Sequence, residues 1–71
     1  MFLGISREIK SVTYRPDASQ PWGEPMSPDE ADKLTDYAPL GAQFRVRYAQ
    51  ILNLPQKFTR VGPYEWMVEG A

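Results

Sequence analysis

Phe44-Arg45-Val46-Arg47-Tyr48 alternates apolar and basic side chains without a break. Successive side chains of a strand point to opposite faces, so this period of two reads as a half-buried β-strand. Phe44, Val46 and Tyr48 are expected to face inward, and Arg45 and Arg47 outward. A helix competes over residues 42–53, because Phe44, Tyr48, Ile51 and Leu52 also fall at helical spacings. The strand is preferred because it gives Val46 and both arginines sensible faces.

Downstream, Asn53-Leu54-Pro55-Gln56 has turn chemistry, and Phe58-Thr59-Arg60-Val61 resumes a strand. Gly62-Pro63 punctuates it, as a tight turn or an edge bulge. Tyr64-Glu65-Trp66-Met67-Val68 completes the pattern, with Tyr64, Trp66 and Val68 expected on one face.

Upstream, Ser27-Pro28-Asp29-Glu30 carries the sharpest local signal. Serine caps, proline suits the first helical position, and glutamate stands where a capping box wants it. A helix is expected over about 28–38, with Ala31, Leu34 and Ala38 as its apolar stripe and Tyr37 on the flank. Pro39 and Gly41 stop it. So short a helix cannot persist alone and must dock. Residues 16–27 form a proline-rich loop, where Pro16, Pro21 and Pro25 exclude a central strand or helix. Residues 1–15 mix signals: Phe2, Ile5, Ile9 and Val12 have helical spacing, whereas Ser11-Val12-Thr13-Tyr14 favours a strand. A strand over roughly 7–15 is preferred.

The expected fold is a single α+β domain spanning 1–71. It has a small antiparallel sheet of three to four strands, with one short helix packed on one face. Hydrophobic residues at 42% and charged residues at 24% place the chain among globular rather than disordered sequences. No apolar run approaches the roughly 20 residues of a membrane span. Met1–Ile5 is too short for a secretory core, so a cytoplasmic location is expected. A core this small rarely supplies more than about 3–5 kcal/mol unaided. Tight aromatic packing, a homo-oligomer or a partner must make up the rest.

The chain contains neither histidine nor cysteine. The commonest metal ligands, the side chain that titrates near neutrality and every thiol nucleophile are therefore missing. The serines have no imidazole to activate them, and no phosphate-cradling glycine loop occurs. Composition argues against an enzyme, a metal or a cofactor, and for binding.

Charge is sorted along the chain. Asp17, Glu24, Asp29, Glu30, Asp32 and Asp36 face Lys33 alone over residues 16–40, whereas Arg45, Arg47, Lys57 and Arg60 make residues 41–63 basic. Trp22, in a rigid extended loop, is a candidate interface anchor, or else a lid over the core. Asp29, Glu30, Asp32 and Asp36 are candidate contacts for a basic partner, although the helix dipole alone favours acids there. Arg45, Arg47, Lys57 and Arg60 are candidate contacts for nucleic acid or a partner. Against nucleic acid, the strand period puts the aromatics on the face opposite the arginines, and the net charge is −1. Pro25-Met26-Ser27-Pro28 matches PxxP by letter, but Pro28 is better explained by the helix start.

The functional expectation is a small non-enzymatic module that docks on another protein, as an inhibitor or adaptor of the kind mobile elements such as phages encode. The alternatives are a nucleic-acid binder using a basic sheet face, or a structural subunit of a larger assembly such as a virion.

Overall fold

The alternating stretch becomes the second strand of a four-stranded antiparallel sheet ordered β1-β2-β3-β4. The computed structural model describes residues 8–49 and 54–70. Its elements are β1 (Ile9–Arg15), α1 (Pro28–Thr35), β2 (Gln43–Tyr48), β3 (Gln56–Arg60) and β4 (Trp66–Gly70). The expected α+β architecture, with its single helix, is what the described residues adopt. The helical spacings involving Phe2, Ile5, Ile51 and Leu52, and the turn position of Asn53, lie outside the described residues.

One sheet face is the core. Register places Val12 beside Val46, Tyr14 beside Phe44, and Phe44 beside Phe58. Val12, Phe44 and Val46 are fully buried, with Tyr48 and Phe58 nearly so. Rings account for much of this packing: Tyr14 and Phe44 lie 4.9 Å apart, and Phe44 meets Trp66 edge-on at 5.8 Å. Desolvation at this layer raises the Tyr14 phenol above its ordinary value of 10.0.

The mixed signal in the first strand has a structural cause. Ile9 pairs with Tyr48 but Ser11 pairs with Arg47, so Lys10 is an extra residue in the ladder. A β-bulge of this kind lets residues three apart share a face. Ile9 therefore packs beside Val12 against the same core, and the helix-like spacing arises inside a strand.

The helix begins as expected. The Ser27 hydroxyl accepts from the Glu30 amide at 3.3 Å, and Pro28 occupies the first turn. It ends at Thr35, short of residue 38, and a turn carries the chain through Tyr37. The Thr35 hydroxyl bonds back to the Asp32 carbonyl at 2.6 Å, a local bond that competes with helix continuation. Ala31, Thr35 and Ala38 are buried, and Leu34 is half-buried. Thr35 was hidden from the apolar stripe because its hydroxyl is satisfied by its own helix. Tyr37, on the flank of the stripe, is 83% exposed.

The proline-rich loop does more than cross the surface. It turns at Asp17, whose carboxylate accepts from both the amide and the hydroxyl of Ser19, and then doubles back along β1. The Gly23 amide donates to the Tyr14 carbonyl at 2.9 Å, and Val12 and Met26 exchange bonds of 3.1 and 2.8 Å. A Cβ at Gly23 would sit 3.2 Å from the Tyr14 oxygen, so this close approach suits glycine. Residues 23–26 thereby cover the outer edge of β1. At the other end of the sheet, Gly62-Pro63 is a turn between β3 and β4, and Tyr64 is in that turn, 95% exposed. The expected strand from Tyr64 thus starts two residues later, at Trp66.

Candidate functional site

The face opposite the helix carries the specialised surface. Ser11, Thr13 and Arg15 of β1 pair with Arg47, Arg45 and Gln43 of β2. Arg45 pairs in turn with Lys57, and Lys57 with Glu69. The period of two places all of these side chains away from the Phe44 core. Arg15, Arg45, Arg47 and Lys57 thus share one face. The Lys57 ammonium is 3.9 Å from Glu69, a partly exposed pair of little energetic weight.

Trp22 belongs to this face. The Arg15 guanidinium lies 4.2 Å from its ring centroid and that of Arg45 lies 4.4 Å away. Each such contact contributes about 0.5–1 kcal/mol at exposed sites and more when desolvated. Trp22 is therefore not a lid over the core: the loop folds back, but the indole lies over arginines on the opposite face. The turn at Asp17 explains this: doubling the chain back along β1 brings Trp22 across Arg15, the last residue of that strand. The Arg15 main arm is fixed as well, since its Nε donates to Gln43 Oε1 at 2.6 Å. Gln43 Nε2 then donates to Thr59 Oγ1 at 3.3 Å, and both residues are buried. This polar relay holds Arg15 under the indole. The Arg45 Nε is buried without a hydrogen-bond acceptor among the described residues, and the guanidinium lies instead against the Trp22 ring.

Arg60 does not join the other three cations. It pairs with Trp66 on the core side, with its guanidinium 5.6 Å from that ring. Its nitrogens donate to the carbonyls of Thr35 at 3.1 Å, Ala38 at 2.7 Å, Gly62 at 3.3 Å and Pro63 at 2.6 Å. It is a cation at the C-terminal end of α1, where the last carbonyls need donors. The grouping of Arg60 with Arg45, Arg47 and Lys57 by sequence proximity fails because position 60 has the opposite parity to 57 on β3.

The acidic candidates lie elsewhere again. Asp29, Glu30 and Asp36 are exposed and Asp32 half-buried on or beside α1, across the sheet from Trp22. A single flat interface cannot use both Trp22 and the acidic helix. The molecule is therefore electrically two-sided, acidic over the helix and basic over the open sheet face. Beside α1 a shallow groove of about 330 Å³ is lined by Met26, Glu30, Lys33, Leu34 and Tyr37. Among the described residues no cluster of three or more potential metal ligands occurs, and no helix is long and apolar enough to cross a membrane. Comparison with protein-family models, with curated proteins and with solved structures gives no match.

Proposed function

We propose that this chain is a non-catalytic docking module that engages an acidic surface of another protein through the sheet face of Arg15, Arg45, Arg47 and Lys57, centred on Trp22. The observation that carries this reading is the stacking of Trp22 on two arginines. It presents an aromatic anchor already ordered among cations, and ordered aromatic and arginine side chains dominate binding hot spots. An inhibitor or adaptor is the role that such a surface on so small a scaffold suits. The acidic helix on the other side repels the same partner and so fixes which face docks.

A second reading has one specific observation in its favour. Trp22 supplies the aromatic that the strand period withholds from the basic face, and cations around an aromatic also suit single-stranded nucleic acid. The two readings separate in one set of assays. Affinity capture from a lysate of the source cell is run with the wild type, with Arg45→Glu/Arg47→Glu, with Trp22→Ala, and with Asp29→Asn/Asp36→Asn. Protein docking predicts one specific protein, lost in the first two variants and retained in the last. Retardation of a single-stranded oligonucleotide, weakening with a log–log salt slope of roughly −0.7 per phosphate contacted, would replace it with the second reading. Capture that survives both basic-face variants would end both.

A further inference from the structure

The two edges of the sheet are finished differently. The outer edge of β1 is occupied by residues 23–26, through bonds from Gly23 and the Val12–Met26 pair. Beyond β4 no strand lies among the described residues. The β4 sequence Trp66-Met67-Val68-Glu69-Gly70 has no proline, no lysine and no bulge among the usual devices that protect an edge, and its one charge, Glu69, is paired with Lys57 of β3. Met67 is 46% and Val68 51% exposed.

The direction of the β4 backbone groups follows from its neighbours. The Arg60 amide donates to the Ala42 carbonyl, and the Arg60 carbonyl accepts from Gly41, so both groups of Arg60 point towards β2. Val61 instead donates to Glu65 across the turn. Arg60–Trp66 is thus a pair without mutual bonds, and by the antiparallel alternation so is Phe58–Val68. The N–H and C=O of Val68 therefore point away from β3, to the side where no further strand lies among the described residues.

We infer that β4 pairs antiparallel with β4 of a second copy, about a two-fold axis at Val68, to form a continuous eight-stranded sheet. In that register Val68 exchanges both backbone bonds with its own counterpart. Residue 66 of one copy lies opposite residue 70 of the other, where glycine has no Cβ and nothing within 4 Å of its place. The charges fit as well: residue 69 falls opposite residue 67, so each Glu69 keeps its own Lys57 and meets a methionine, and no unpaired charge enters the seam. Because each β1 edge is covered at Val12 and Tyr14 and interrupted by the bulge at Lys10, the assembly closes as an isologous dimer and does not extend into a filament. Both Trp22 faces end on the same side of the joined sheet, which makes a bivalent surface.

The seam is one short strand, so the dimer is expected to be weak and concentration-dependent. Sedimentation of the full chain across micromolar to millimolar concentrations is expected to show mass rising from monomer to dimer and stopping there. Val68→Pro removes an outward-facing N–H and no bond to β3, so it is expected to leave the far-UV spectrum unchanged and abolish dimerisation. Val68→Lys is the independent check, should the proline disturb folding. Because the chain lacks cysteine, Val68→Cys reports register: paired Cα atoms about 5.5 Å apart lie within disulfide reach, so mild oxidation should link the copies. Tyr64→Cys, 95% exposed in the turn, should not link them. A monomer at every concentration, a dimer that survives both Val68→Pro and Val68→Lys, or growth beyond two copies would overturn the inference.

Discussion

Replacing Arg60 by alanine tests whether this residue is part of the scaffold or of the surface. Its three guanidinium nitrogens reach four carbonyls, and those of Thr35 and Ala38 belong to residues only 2% and 5% exposed. Water can replace the exposed bond to Pro63 at little cost. It replaces the bonds to Thr35 and Ala38 poorly, and a buried carbonyl left without a donor costs about 1–3 kcal/mol. Removing Arg60 should therefore destabilise the fold by about 2–4 kcal/mol, mostly through those two groups. A chain of this length has roughly 4–11 kcal/mol in total, so the loss is a large fraction. Urea unfolding followed by far-UV circular dichroism measures it directly, with Arg47→Ala as the exposed control expected to stay within about 0.5 kcal/mol of wild type. Arg60→Lys should recover only part of the loss, because an ammonium cannot span the four acceptors as a planar guanidinium does. An Arg60→Ala protein as stable as the Arg47→Ala control would refute the helix-end role.

Two further outcomes are expected. Gly41 has φ +89° with open space where a Cβ would stand, so Gly41→Ala should cost about 1–2 kcal/mol through backbone strain alone, read as a lower urea midpoint with an unchanged slope. The Asp17 carboxyl is held below its ordinary value of 3.8, first by the Ser19 hydroxyl and then by the Ser19 amide. A lowered folded-state pKa contributes stability above the unfolded value and loses it as pH falls through the folded one. The 17–20 turn should therefore loosen only in acid below about pH 3.8, seen as a titration of the Ser19 amide resonance that disappears in Asp17→Asn.

Much of the scaffold was legible because it rests on local rules. The alternation at 44–48 needs only the two-residue period of a strand, and Ser27-Pro28 needs only the geometry of a helix start. The exceptions have local causes that depend on neighbours. The bulge at Lys10 disguised a strand as a helical stripe, because one inserted residue changes the spacing of inward positions from two to three. The early stop at Thr35 and the displacement of Tyr64 into a turn came from hydrogen bonds that spacing does not reveal.

What the sequence determined by itself was the class of fold, the faces of the central strand and the poverty of catalytic groups, since each depends on residue identity and short-range periodicity. Which candidate side chains meet was settled only in three dimensions. Trp22 reaches Arg15 and Arg45 because a turn folds the loop back along β1, and Arg60 leaves the other cations because strand parity and the helix end draw it to the opposite face. Such meetings depend on register and on chain reversal, which are properties of the assembled sheet and are not carried by any single stretch of residues.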